Sequence, residues 1–162
     1  MTTAAPTPAT RATAAKPPSL PPRWIVRTIW VLHRAMFRVT GGRKGLWAPK
    51  PNRWGTMRLT TIGRRTGQER GVILGYYEDG ANLVTMAMNG WADGEPAWWL
   101  NLQARPDAKV VLWDGRRQVR AAAATGSERS RLWARWQTMG DDVEGYSKLR
   151  STETAVVVLS RR

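Results

Sequence analysis

An α+β fold, a small antiparallel barrel with inserted helices, is predicted for this 162-residue chain by three observations. Short apolar runs alternate with turn signals from residue 56 to 124 and recur near the C-terminus, giving about six strands. Tight Gly-containing turns join these runs where a doubly wound sheet would need helical crossovers. Helical patterns are short and few, and the length suits one domain able to bury a real core.

Residues 1–22 are mostly Thr, Ala and Pro, end in PPSLPP, and offer no face to bury. A disordered tail is predicted there, and it lacks the apolar stretch of a secretory signal. Residues 23–39, RWIVRTIWVLHRAMFRV, have a helical pattern and open the single domain predicted over 23–162. Projected at 100° per residue, Arg23, Arg27, Arg34 and Arg38 fall within an arc of about 60°. Trp24, Ile25, Ile29, Trp30, Leu32, Met36, Phe37 and Val39 fill most of the rest, so the helix is basic and amphipathic. It is too short and too charged to span a bilayer, which needs about 20 apolar residues. Residues 40–54 read as a Gly/Pro/basic connector.

Strand patterns follow at Thr56–Ile62, Gln68–Tyr77 and Leu83–Met88, with turns at 63–67 and across Glu78–Ala81. Pro96 is placed at the first position of a short helix that Arg105-Pro106 stops. Lys109–Trp113 and Arg117–Ala124 form a hairpin across Asp114-Gly115-Arg116. Thr125 and Glu128 have capping-box spacing before a helix over Arg129–Met139. A helical piece over Glu144–Leu149 and a last strand, Ala155–Leu159, complete the chain.

Charge and two absences narrow the function. Lys and Arg total 26 against 12 Asp and Glu, a formal +14, and Arg outnumbers Lys 21 to 5. Arg suits bidentate contact with phosphate or carboxylate, so anionic partners are expected. Cys is absent, which removes disulfides, thiolate metal sites and a Cys nucleophile. The one histidine, His33, lies in the N-terminal helix, far from any clustered metal set or Ser-His-Asp triad. No metal site is expected. Chemistry carried by a bound organic cofactor fits this inventory, and so does a protein that only binds.

The block from Leu59 to Asp107 carries the motifs. Gly63-Arg64-Arg65-Thr66-Gly67, with Arg70 downstream, combines a tight turn with clustered charge and suits a phosphate or carboxylate. It is neither a Walker loop nor a dinucleotide fingerprint, and it also reads as an ordinary hairpin turn with solvated arginines. Trp98 and Trp99 lie about 100° apart on a helix, so one at most faces a given pocket. Core packing is the plain reading for Leu100 and Leu102.

With TxGRxTGxxR over 61–70 and PxWWLNLxAxP over 96–106, residues 24–160 resemble the deazaflavin-dependent nitroreductase/quinone reductase family. The resemblance implies a split β-barrel, FMN-binding-split-barrel-like, and coenzyme F420 as cofactor, with FMN the alternative. It implies cofactor contacts from the loop residues Arg64, Arg65 and Thr66. The strand running from Arg70 through Gly71, Val72, Ile73 and Leu74 to Gly75 joins them. So do the strand end Met86, Ala87, Met88 and Asn89 and the helix start Ala97, Trp98, Trp99, Leu100 and Asn101. The family typically has a polar residue followed by Lys where Met88 and Asn89 stand, so that cation is lost here, and Arg43, Lys44 and Arg53 are the candidates to replace it. The tyrosine-rich cap of nitroreductase members is reduced here to Tyr146, in a roomier and more acidic stretch with Val143. Nitroimidazole chemistry is therefore not carried over.

Two functions are expected from this reading. The first is an enzyme moving hydride from reduced F420 to a quinone-like or other electron-poor acceptor, with Tyr146 a proton donor, a substrate contact or a packing residue. The second is a split-barrel protein that holds a cofactor or lipid without turnover. Residues 23–39 either close the barrel or lie on an anionic membrane surface. Nucleic acid is not expected, since no recognised motif accompanies the arginine stripe. The predicted location is cytoplasmic, peripheral to the membrane under the second option. Monomer and homodimer both remain open.

Overall fold

The computed structural model describes residues 45–139 and 142–162. The predicted tail and the basic helix over 23–39 lie outside the described residues, as do Arg43 and Lys44.

Six strands close into one barrel: β1 (Gly55–Ile62), β2 (Glu69–Asp79), β3 (Asn82–Met86), β4 (Asp107–Leu112), β5 (Gly115–Ala123) and β6 (Val156–Arg161). The order around the barrel is β1-β2-β3-β6-β5-β4, and every pairing is antiparallel. Three helices are inserted: α1 (Ala97–Ala104), α2 (Gly126–Gln137) and α3 (Val143–Ser147). A 3₁₀ turn at Asn89–Trp91 follows β3. The α+β barrel expected from the alternating pattern is thus the fold observed.

Alternation decides which way each side chain points. Along β1, Met57 and Leu59 are fully buried while Arg58 and Thr60, which alternate with them, are only half-buried. Met57, Leu59, Tyr76, Leu83, Val110, Leu112, Val119, Val157 and Leu159 fill the barrel, and Trp98, Trp99 and Leu102 of α1 plug one end of it. The wall's other face carries a second core. There Tyr77, Val84, Met86, Val156 and Val158 pack under Leu132 and Trp136 of α2 and Val143 of α3.

Turn chemistry sets the register. Asp79 pairs with Asn82 across Gly80-Ala81, and Gly80 adopts φ +61°, which glycine takes without steric cost. Leu112 pairs with Gly115, so Trp113-Asp114 is the β4–β5 turn and Gly115 already belongs to β5. Between β1 and β2, Gly63 donates to the Gln68 carbonyl and Gly67 to the Gly63 carbonyl, each at 2.8 Å.

Four local expectations are corrected. The third strand stops at Met86, because Ala87 bonds Ala155 and the chain then turns left-handed at Asn89 (φ 47°). Apolar Met88 made the run look longer. Pro96 is extended (ψ 142°) and occupies the N-cap, one position before the helix, where its carbonyl accepts the amides of Trp99 and Leu100. Thr125 is an N-cap by backbone, but its side chain makes no capping bond, so the box does not form; α2 ends at Gln137. The helical piece predicted over Glu144–Leu149 is α3, which starts one residue earlier and stops at Ser147.

Candidate active site

The first feature of the site is a gap in the barrel wall. From Glu69 to Tyr76, β2 is laddered to β1 on one side; its ladder to β3 is confined to Tyr77–Asp79. Beyond that point the strands part, and the Thr85 hydroxyl donates to the Gly75 carbonyl at 2.7 Å. Gly75 therefore directs its polar groups to the β3 side. Within a strand the N–H and C=O of one residue point the same way, alternating along the chain. Gly71 and Ile73 share the parity of Gly75 and turn their backbone groups to the open side. A strand edge left without a ladder partner among the described residues invites a ligand or another strand.

Beside the edge sits the charged loop. Arg64, Arg65, Thr66 and Arg70 are all exposed, and Gly71 with them. The loop is held from below by Asn101 of α1, which is 5% exposed. Its amide oxygen accepts the Arg64 backbone amide at 3.1 Å and Arg64 Nη1 at 3.4 Å. Its amide nitrogen donates to Thr61 Oγ1 at 3.1 Å. Asn101 is thus a buried bracket, committed to the protein on both of its polar atoms. The Arg65 and Arg70 side chains are exposed and make no bond among the described residues.

The remaining expected residues divide by exposure. Val72, Ile73, Leu74 and Gly75 are half-buried, a partly open apolar strip along β2. Met88 and Leu100 are half-buried, and Asn89 and Ala97 exposed. Met86 and Ala87 are core residues at 2% and 0% exposure, and Trp98 and Trp99 lie within the barrel cluster at 8% and 6%. The tryptophans meet edge to face, 6.3 Å between ring centroids. Packing accounts for their burial. Val143 is likewise buried among α2 residues. Arg53, considered as a replacement cation, is exposed and forms an isolated bridge with Lys50.

Tyr146 stands on α3, half-buried, with its ring stacked on Trp91 at 5.7 Å and 15°. No side chain or carbonyl among the described residues bonds its hydroxyl. Trp91 and Arg150 were not singled out from the sequence. Arg150 is 7% exposed and donates to the carbonyls of Ala87 (2.8 Å) and Gly94 (2.9 Å), which bracket the Asn89–Trp91 turn. An arginine amid polar residues reads as solvated, and these two carbonyls lie 63 and 56 positions away. Asp93 accepts the Ser151 amide at 2.7 Å, and that bond holds its carboxyl below the usual range.

A barrel parted along one strand, with an apolar strip and three arginines at the opening, has the shape and charge for a flat anionic cofactor. The sequence profile of the F420H(2)-dependent quinone reductases matches residues 30–161. An F420H(2)-dependent quinone reductase of Mycobacterium tuberculosis is 32% identical over 149 residues, covering 86% of this chain and 97% of the relative. Among solved structures, an F420-H2 dependent reductase superimposes with a TM-score of 0.59 at 22% identity, over 72% of this chain and all of its own. A domain-swapped dimer reaches 0.61, also at 22% identity, over 83% and 99%. Both share the fold. The chain belongs to the F420H(2)-dependent quinone reductase family. It is a split-barrel oxidoreductase whose cofactor is coenzyme F420, as the motifs implied, and the non-catalytic reading is set aside.

Proposed function

We propose that this F420H2-dependent reductase transfers hydride to a quinone-like or other electron-poor small molecule, using the opening along β2 as its cofactor groove. Bound F420H2 supplies the hydride from its own ring, so the protein needs no nucleophile, in keeping with a chain without Cys. The acceptor takes two electrons and one hydrogen as hydride, and one proton completes the hydroquinone.

The observation that carries this reading is the open β2 edge beside three exposed arginines. Arg64, Arg65 and Arg70 would hold the anionic arm, with charge-assisted bonds of about 1.5–3 kcal/mol each. The open-side backbone groups of Gly71 and Ile73 would bond polar ring atoms. Val72 and Leu74, which share one face of β2, would exclude water from one side of the ring. Asn101, Trp98 and Trp99 would act from beneath, fixing the loop and the helix that border the groove. Tyr146, with an unengaged hydroxyl, would meet the acceptor, and a quinone can draw its proton from water as easily as from a phenol.

We also place the protein in the cytoplasm, with residues 23–39 against an anionic membrane from which a lipid-soluble acceptor is drawn. The support is the arginine stripe with its flanking tryptophans. Co-sedimentation with anionic but not neutral vesicles supports that placement; a protein left in the supernatant at low salt refutes it.

Quenching of the ten tryptophans by added F420 and FMN tests the groove. Saturable quenching by F420, much tighter than by FMN and weakened in Arg70→Ala, is expected. Equal affinity for both, or none for either, would reject the groove.

A further inference from the structure

The geometry points to Arg150 as a positioning residue that clamps the loop after β3 and so fixes Trp91 against Tyr146 as an aromatic wall for the acceptor. This rests on the proposed reading in one respect only, that the end of β3 borders the cofactor groove.

Arg150 lies three residues beyond α3 and is 7% exposed. Its guanidinium donates to the Ala87 carbonyl at 2.8 Å and the Gly94 carbonyl at 2.9 Å. It also reaches Thr154 Oγ1 at 2.7 Å and Thr152 Oγ1 at 3.4 Å. Every acceptor is neutral, and no carboxylate among the described residues lies within ion-pair distance. Ala87 and Gly94 are the two ends of one loop, so a single planar group staples both. The Ser151 amide adds a third tie, to Asp93 Oδ1 at 2.7 Å.

Inside the stapled loop the backbone is strained. Asn89 (φ 47°), Gly90 (61°) and Trp91 (63°) are left-handed in succession. For a bulky side chain such as Trp91 that conformation persists only when the surroundings impose it. Asn89 Nδ2 helps from within, donating to the carbonyls of Asp93 (3.1 Å) and Gly94 (3.3 Å). The product of this arrangement is the Trp91–Tyr146 stack, at 5.7 Å and 15°. Burial of a charge with no ion pair, only the longer-range field of Asp93 opposing it, is an expensive way to satisfy carbonyls if stability were the only end. It is a rigid way to hold a strained loop, because the guanidinium fork fixes both directions and distances. A planar ring pair beside the end of β3 suits a planar acceptor.

The test compares wild type, Arg150→Met, Arg150→Lys, Trp91→Ala and the Arg150→Met/Trp91→Ala double variant. Melting temperature, F420 affinity, steady-state kinetics with menadione and near-ultraviolet circular dichroism are measured for each. Arg150→Met should raise KM for menadione about tenfold while F420 affinity stays within about twofold. It should lose the dichroism contributed by Trp91, taken as the wild-type minus Trp91→Ala difference, and Arg150→Lys should recover part of both. The double variant should be no worse than Trp91→Ala alone, because the two residues act through one element. A folded Arg150→Met with wild-type KM, or losses that multiply in the double variant, would overturn the assignment. If Arg150→Met does not fold, Arg150→Lys decides: raised KM with altered dichroism supports the clamp, and wild-type values of both overturn it. Wild type that fails to oxidise F420H2 rejects the proposed function instead. The clamp then stands or falls on whether Arg150→Met or Arg150→Lys changes the Trp91 dichroism.

Discussion

The side-chain oxygen of Asn101 accepts the backbone amide of Arg64 at 3.1 Å, joining the plug helix α1 to the charged loop across 37 positions of sequence. The same amide group donates to Thr61 Oγ1, so α1, β1 and the loop meet at one buried polar point. A loop of exposed arginines would otherwise be held by its own internal bonds, two between backbone groups and one from the Gln68 amide to Thr66 Oγ1 at 3.4 Å.

Asn101→Ala should therefore act twice. Leaving the Arg64 amide unpaired, and the Thr61 hydroxyl with only its 3.5 Å bond to the Arg70 carbonyl, should cost about 1–3 kcal/mol, read by urea denaturation. It should also weaken F420 binding, because the loop loses its bracket. Unchanged F420 affinity in a folded variant would mean that the hairpin holds its shape unaided.

Arg70→Ala tests the charge at the groove. Arg70 is exposed and, among the described residues, its guanidinium is bound to no partner, so folding should barely change. Binding should weaken by roughly 1.5–3 kcal/mol by titration, the scale of a charge-assisted bond. An unaltered dissociation constant would remove Arg70 from the site.

The adjacent tyrosines of β2 should respond in opposite directions. Tyr77 is fully buried and its hydroxyl donates to the Leu132 carbonyl at 2.9 Å, so Tyr77→Phe should cost about 1 kcal/mol. The Tyr76 hydroxyl is buried in the barrel and has no partner among the described residues, and Tyr76→Phe should be neutral or stabilising by up to about 1 kcal/mol. Burial pushes the Tyr76 phenol up to about 12. Its neutral form favours the fold below the usual phenol value near 10, and that advantage fades as pH climbs towards 12. Tyr76→Phe should flatten this alkaline loss. Equal destabilisation by both substitutions would contradict the assignment of the two hydroxyls.

Asp79 ties the end of β2 to α2. Its oxygens accept Arg131 Nη1 and Nη2 at 2.9 and 2.8 Å, and Arg135 Nη1 at 3.4 Å. The Arg131 hydrogen bond, with the charges of Arg131 and Arg135, holds the Asp79 carboxyl below the usual range against an opposing push from burial. A depressed carboxyl stabilises the fold above its unfolded value of about 4 and loses that contribution as pH falls through its folded value. Asp79→Asn should cost about 1 kcal/mol at pH 7 because the pair is partly solvated, and the difference from wild type should vanish in strong acid. A pH-independent difference would assign the effect to packing.

Legibility from sequence followed the range of the interactions. Met57 and Leu59 alternate with Arg58 and Thr60, so β1 could be read from neighbours alone. The turns could be read because Gly80 and Gly67 advertise their conformations. Trp98 and Trp99 were visible as a helix motif, yet their burial depends on a barrel mouth built from distant strands. The roles of Asn101 and Arg150 were not legible as brackets, since their partners at Arg64, Ala87 and Gly94 become neighbours only after the barrel closes. Nothing local to Trp91 announces its stacking on Tyr146.

Oxidation of F420H2 by menadione, followed at the deazaflavin absorption band, tests the central claim most directly. Wild type should turn over with saturation in both substrates, and Tyr146→Phe should lose less than about a hundredfold, because water can supply the proton. Arg70→Ala should lose activity chiefly through weaker F420H2 binding. A protein that binds F420H2 yet passes no electrons to menadione or to any other quinone would contradict the account.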